Sequence, residues 1–230
     1  MKKGKHLCDL KSCMYCKLCL PEWLPAIDAN RKMVSIKKGE VLFKEGEVMN
    51  GIYFVYTGVV KVHKQWGQKE LIVRFAKQGD IVGHRGLGTD PVYPVSGTAL
   101  VNVTACFIPL DFFMSSLKVN YDFLYQLMLF FAEELKQSER KMRNLAHMTV
   151  KGRVAQALIT LKSKFGTAAD GYIDIVLSRQ DLASYTGTTY ETVFRIMSEL
   201  ADQNILATEG KKITILNDTA LQLLTTDELK

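Results

Sequence analysis

Between Tyr121 and His147 the chain reads YDFLYQLMLFFAEELKQSERKMRNLAH, 27 residues with neither glycine nor proline. Within it Leu124, Met128, Phe131, Leu135, Met142 and Leu145 recur in steps of four and three, and Ser138 fills the remaining place in the series. A stretch this long, free of helix breakers and carrying an apolar stripe at that period, predicts one helix of about seven turns. Steps of four and three make a heptad seam, which either joins two copies of the chain in a short coiled coil or packs one stripe against the chain's own core. A rod of this kind separates its N-terminal flank from its C-terminal one, and the two flanks read differently.

Before it, from about Met33 to Pro109, short apolar runs alternate with turns: VSI, VLF, GIYFVYTGVVKVH, ELIVRF, DIVG and TALVNVTACFIPL, punctuated at Gly46, Gly51, Gly58, Gly67, Gly79 and Gly83. Short, evenly spaced strands of this kind predict an antiparallel β-sandwich or cupin-like β-roll. After it, past a hinge near Thr149, come a helix KGRVAQALITLKSKF, a strand GYIDIVL, a helix RQDLASYT, a turn at Gly187 and a helix YETVFRIMSELADQN. The closing ILATEGKKITIL reads as a β-hairpin turning at Glu209 and Gly210. Two short helices joined at a glycine turn and followed by a hairpin describe a winged helix-turn-helix. The expected fold class is α+β, divided into a Cys-rich segment 1–20, a β-roll 21–120, the helix 121–147 and a winged helix-turn-helix 148–230.

Charge adds less than it first promises. The chain of 230 residues carries a net charge of +6, but residues 1–44 hold 10 Lys and Arg against 4 Asp and Glu, while residues 148–230 hold 9 against 10. No bulk positive field marks the C-terminal region as a nucleic-acid binder. The pattern on the helix YETVFRIMSEL does: Val193, Ile196, Met197 and Leu200 share an apolar face, leaving Tyr190, Glu191, Phe194 and Arg195 outward beside Thr192. Arginine can bond guanine O6 and N7, glutamate can accept from cytosine N4, and phenylalanine can meet a thymine methyl group. Thr188, Thr189 and the helix N-terminus suit phosphate, as does Arg179 at the start of the preceding helix. The same residues also fit a purely local account, in which Thr188 and Glu191 form a capping box and Glu191 pairs with Arg195.

HLCDLKSCMYCKLCLP places Cys8, Cys13, Cys16 and Cys19 within sixteen residues, and Cys106 stands alone in ACFIPL. With no signal peptide and no apolar run of membrane-spanning length, the expected compartment is the cytoplasm, with no membrane partner. Structural disulfides are disfavoured there, which turns the cysteines toward metal or redox chemistry. Lys2, Lys3, Lys5, Lys11 and Lys17 favour the thiolate form around them. Four local thiolates satisfy a closed zinc site, in which case Cys106 is an ordinary buried side chain. Only His6, His63, His84 and His147 are present and none forms an H-x-H pair, so a cupin enzyme is not expected.

SRQDLASYTGTTYETVFRIMSELADQNILATEGKKITIL resembles the helix-turn-helix signature of the Crp/Fnr family of bacterial transcription regulators, and KKGEVLFKEGE, IYFVYTGVVKV and KQGDIVG resemble its β-roll. The resemblance implies a sensor roll, a dimerisation helix along the seam, and a winged helix that binds double-stranded DNA at a palindromic promoter site, with RNA polymerase as a further partner. It also implies that Glu191 and Arg195 read a G·C pair, while Tyr190 and Phe194 stand where relatives carry other residues.

Two branches of the family bear on the signal. The cyclic-nucleotide branch carries a Gly-Glu and an Arg-Ser pair; here His84 replaces the Glu and Val95 replaces the Arg before Ser96, so a nucleotide phosphate would lose its counter-charge and no cyclic nucleotide is expected. The Fnr branch carries an N-terminal cysteine cluster and one late cysteine before Ile-Pro, which Cys106 and the CLP after Cys19 resemble. That likeness implies an oxygen- or redox-sensitive [4Fe-4S] cluster on Cys13, Cys16, Cys19 and Cys106, whose C-x2-C-x2-C run suits an iron-sulfur cube, with Cys8 as an alternative ligand. The last gap is shorter than in that branch's usual pattern. Zinc is the alternative metal, and haem on His63 or His84 the alternative signal chemistry. Ser138 carries no charge where oxygen-sensing relatives place an acidic seam residue, which implies a dimer less dependent on the cluster.

Overall fold

The glycine-punctuated stretch folds into eight antiparallel strands. They are β1 (Lys32–Ile36), β2 (Val41–Phe43), β3 (Gly51–Thr57), β4 (Val60–Trp66), β5 (Lys69–Ala76), β6 (Ile81–Val82), β7 (Ser96–Ala99) and β8 (Val103–Pro109). Two four-stranded sheets result, ordered β1-β8-β3-β6 and β2-β7-β4-β5. Between the sheets, Tyr53 on the face shared with Val55 and Ala105 stacks on Phe43 of the second sheet at 5.8 Å, while the opposite face of the first sheet, with Ile52, Phe54, Cys106 and Ile108, is covered by Tyr15 and Phe113, which pack on Phe54. This is the expected roll, held by alternate residues of each strand meeting across the sheets. The computed structural model describes residues 13–226.

Ahead of the roll lie α1 (Met14–Leu18), a single 3-10 turn (Pro21–Trp23) and α2 (Leu24–Asn30); behind it lie α3 (Leu110–Val119) and the long α4 (Tyr121–His147). The described residues divide into two compact units, 13–66 with 73–135 and 67–72 with 136–226, so the division falls inside α4. The second unit contains α5 (Val150–Phe165), α6 (Arg179–Thr186), α7 (Tyr190–Asp202), the hairpin β9 (Leu206–Glu209) and β10 (Lys212–Ile215), and α8 (Asp218–Leu223). Among the described residues no helix is long and apolar enough to cross a membrane.

One sequence expectation fails here. GYIDIVL is not a strand: Ile173 makes only an isolated bridge to Thr167, and its N–H donates to the Ile213 carbonyl at 2.9 Å. Ile173 and Leu177 are buried, as their alternation predicts, but the segment meets no partner strand along its length and stays a loop pinned by two apolar anchors. The helices α1, α2, α3 and α8 went unread because most are too short for a helical period to show.

Gly187 sets the geometry of the second unit. It closes α6 in the left-handed region at φ 67°, where a Cβ would lie 2.6 Å from Leu145 Cδ2. Only glycine combines that dihedral with that close approach, and α7 therefore leaves α6 at a tight turn.

Candidate functional site

The turn presents a helix whose two faces are chemically separate. Ser178 and Asp181 form a reciprocal capping box that starts α6. α7 is capped by Thr189, whose hydroxyl accepts from Thr192 N–H at 3.3 Å. The cap thus sits one residue later than a Thr188–Glu191 box requires, and the Glu191 carboxylate takes no part in it. Val193, Ile196, Met197 and Leu200 are buried, while Tyr190, Glu191, Phe194 and Arg195 are exposed and Thr188 and Thr192 half-buried. Among the described residues Glu191 and Arg195 are not ion-paired with one another. Arg195 instead helps Lys151, bonded to Glu199 at 2.8 Å, to hold the Glu199 carboxyl below its usual range. Both local explanations for Glu191 and Arg195 are therefore absent, and the two charged groups stand exposed on the open face.

Tyr190 and Phe194, 45% and 55% exposed, stack with ring centroids 6.4 Å apart. Arg179, expected at a phosphate, also touches the hairpin. It is half-buried, its Nη2 donates to the Gly210 carbonyl at the hairpin turn at 3.4 Å, and burial lowers its pKa. It braces α6 against the hairpin.

The apolar seam of α4 is largely uncovered. Leu124, Met128, Leu135 and Met142 are 44 to 66% exposed, while Phe131 and Ser138 are half-buried. Leu145 is half-buried too, beside Gly187 of its own chain. The stripe that packs on the chain's own core is a different one, Phe123 and Leu127 followed by Glu134. Hence the heptad is not the intrachain packing stripe, and its apolar face is left for something else.

In the first unit, Cys13, Cys16 and Cys106 are buried and Cys19 half-buried, with no disulfide among them. Cys13 caps α1 and Cys19 follows its end; Cys106 lies on β8 between Met33 of β1 and Phe54 of β3. Buried Asn120 ties the pieces together, donating to the Leu18 carbonyl at 2.7 Å and accepting from Phe123 N–H at 2.9 Å at the start of α4. Cys8 lies outside the described residues. At the centre is Tyr15, whose ring packs 5.2 Å from Phe54, 5.8 Å from Phe113 and 5.3 Å from Phe123. Burial pushes its pKa up to about 12, with the Ser116 hydroxyl acting against this and Cys19, Cys16 and Cys106 adding to it. Yet the Tyr15 hydroxyl makes no hydrogen bond; Ser116 lies near but donates to the Phe113 carbonyl at 2.6 Å. A buried donor left so costs about 1–3 kcal/mol.

These thiols suit an iron-sulfur cluster or zinc in donor chemistry. Among the described residues no three His, Cys, Asp or Glu side chains form a ready-made metal-binding group.

The two histidines considered for haem are packed into the protein. His63 bonds Thr98 across β4 and β7 at 2.8 Å. His84 is buried against Phe130 and Phe131, ring centroids 5.1 and 5.5 Å away, and burial lowers its pKa to about 4. Beside it the Glu134 carboxylate accepts from Arg74 at 3.1 Å and Arg85 at 2.6 Å. Sequence reasoning missed this cluster and Tyr15 alike. The one legible signal was a glutamate at the continuation of the Phe123–Leu127 stripe.

Residues 33–120 match the cyclic nucleotide-binding domain and residues 152–224 the Crp-like helix-turn-helix domain. The transcriptional activator protein Anr of Pseudomonas protegens is 30% identical over 222 residues, covering 92% of this chain and 90% of its own. The chain belongs to the Crp/Fnr family. The cAMP-activated global transcriptional regulator CRP of Escherichia coli O157:H7 is 34% identical over 180 residues, covering 76% of this chain and 84% of its own. The solved structure of FixK2 from Bradyrhizobium japonicum superposes with a TM-score of 0.77 at 27% identity, over 85% of this chain and 98% of that one. This Crp/Fnr protein is thus a DNA-binding transcriptional regulator rather than an enzyme.

Proposed function

We propose that the protein regulates transcription as a homodimer bound to a two-fold symmetric DNA site, under control of a [4Fe-4S] cluster held by Cys13, Cys16, Cys19 and Cys106. One observation carries the metal part: Cys13, Cys16 and Cys19 follow the C-x2-C-x2-C spacing and, with Cys106 on β8, carry no disulfide among them. Similarity to Anr supports the same branch. When bound, the cluster supplies oxygen- and redox-sensitive iron chemistry. This chain's part is to hold four thiolates against the roll beside the start of α4, through Asn120. Protein purified without oxygen should show the broad visible absorption of a cluster, with iron and sulfide in equal amounts; stoichiometric zinc instead would overturn the assignment.

The cyclic nucleotide-binding domain match favours a second reading, in which the roll takes a nucleotide. Against it, Val95 is buried and apolar, His84 is held neutral, and Arg85, the arginine of that turn, is committed to Glu134. A phosphate would find no uncommitted cation among these three.

The exposed seam supports the dimer, and the uncharged Ser138 supports a dimer that outlasts the cluster. Sedimentation of the cluster-free protein at micromolar concentration should show dimer; monomer would contradict this. Loss of the signal would then act by shifting a two-state equilibrium of the dimer, with DNA affinity as its readout.

Readout is assigned to Glu191 and Arg195, with Tyr190 and Phe194 over the outer bases, Thr188, Thr189 and Thr192 at the phosphates, and Arg179 bracing the hairpin. Arg195→Ala should cost ~1–3 kcal/mol at the specific site and relax preference at one G·C pair, and Glu191→Ala should relax the paired cytosine. Affinities across single-base variants of the site test this. A uniform loss with unchanged base preference would make these residues structural or phosphate contacts.

A further inference from the structure

Arg153, in the first turn of α5, meets the ends of two other helices at once. Its Nη1 donates to the Met148 carbonyl, just past the end of α4, at 2.9 Å. Its Nε donates to the Thr186 carbonyl at 2.9 Å and its Nη2 to the Gly187 carbonyl at 3.4 Å, both at the close of α6. Carbonyls at a helix C-terminus lack intrahelical partners and lie at the negative end of the helix dipole, so a guanidinium there suits both helices. Two more contacts lie along the same side of α4. Lys141 donates to the Ile72 carbonyl at 2.5 Å with its Nζ 4.3 Å from the ring centre of Tyr185 of α6, and Leu145 lies against Gly187. Lys141, Leu145 and Met148 follow at helical spacing, so α4 and α6 are joined at three successive levels, the last through Arg153. Only Met148 and Thr149 separate α4 from α5, and the Thr149 hydroxyl is held by Gly152 N–H at 3.1 Å. Seam residue Met142 and the reading helix α7 belong to the same compact unit.

We propose that Arg153 is a positioning residue for DNA readout: it locks the joint between α4 and the helix-turn-helix, so that a dimer holds its two reading helices at one separation and selects the spacing of the half-sites as well as their sequence. The inference rests on the homodimer and two-fold symmetric DNA site proposed above. One base pair added between half-sites turns one of them by about 34° and moves it about 3.4 Å along the duplex. A dimer with a locked joint meets that change only by straining the joint or giving up a half-site, whereas a loosened one follows it. The competing account is that Arg153 serves only the stability of its own unit.

Arg153→Ala removes the fork, and Arg153→Lys keeps the charge on a flexible stem that does not span three carbonyls. The probes are duplexes: a symmetric site recovered by the native protein from random sequence, that site with one base pair added or removed at its centre, that site with one G·C pair of each half replaced, and a single half-site. Affinities of the full chains, purified without oxygen, are measured at one salt concentration. Expected is that both variants keep the native penalty for the replaced G·C pairs, while their penalty for altered spacing falls about tenfold, the factor that one charge-assisted hydrogen bond carries. Should Arg153→Ala fail to fold, Arg153→Lys decides alone. The proposal is overturned if the spacing penalty stays native in the folded variants, or if base preference and spacing preference are lost together. It is likewise overturned if the native protein binds the lengthened and shortened sites as tightly as its own. A native protein that binds the single half-site as tightly as the paired one defeats the dimer reading itself, a result read before any variant is compared.

Discussion

Replacing Cys106 by serine is expected to abolish the anaerobic chromophore while leaving the roll folded. Cys106 lies on the central strand β8, 3% exposed, paired with Met33 on one side and Phe54 on the other. Serine is close in size and suits the strand, so the structural cost is that of a small buried polar group, about 1–3 kcal/mol, which a domain of ordinary stability tolerates. Its hydroxyl is a poor substitute for a thiolate as an iron ligand, so the effect on the cluster should be near total. Cys8→Ser should retain the chromophore, since Cys8 is not among the four assigned ligands. Iron content and visible absorption of the two variants decide the matter. Full iron in the Cys106 variant would leave this cysteine as core and reassign the site to the N-terminal thiols.

Glu134→Gln should destabilise the first unit by about 3–5 kcal/mol, because it leaves two mostly buried guanidinium groups facing each other without their carboxylate. The side chains of Glu134, Arg74 and Arg85 are 11, 15 and 24% exposed, so solvent screens them little. A midpoint drop of roughly 10–20 °C is the corresponding thermal effect. The same cluster makes stability fall with acid. Burial disfavours charge on Glu134, but His84, Arg74 and Arg85 outweigh it and hold the carboxyl down to about 2. The folded state keeps this proton off where the unfolded state binds it, so stability present above the unfolded pKa, near 4.3, is lost as pH falls toward 2. His84, held at about 4 by burial, works in the same sense: it stays neutral when folded but charges near 6.5 when unfolded, so stability is lost between those values. The melting temperature should therefore begin to fall below about pH 6.5, and His84→Gln should remove that upper part of the dependence. A melting temperature constant from pH 7 to 5 in the native protein would contradict the assignment.

Much was legible because it depends on local periodicity. The breaker-free run 121–147, the glycine-spaced strands and the Gly187 turn each dictate their structure through neighbours in the chain, and they became α4, the roll and the α6–α7 turn. The reading face of α7 was legible for the same reason, since four apolar residues at helical spacing leave only one side for Glu191 and Arg195. Where an element needs a distant partner, local pattern misleads: GYIDIVL alternates like a strand but finds no ladder. Spacing alone could not say whether the heptad or another stripe packs inward, because both recur at compatible periods on one helix; burial decided for Phe123 and Leu127 and left Leu124, Met128, Leu135 and Met142 outside. Nor could it say that Tyr15 packs on Phe54, Phe113 and Phe123, or that Arg74 and Arg85 meet on Glu134. The kind and order of most elements were thus written in the chain, because hydrogen bonding along a helix or across a turn involves residues near one another in it. Which buried polar groups share an environment was settled only on folding, because that depends on strands and helices brought together by the burial of surfaces remote in sequence.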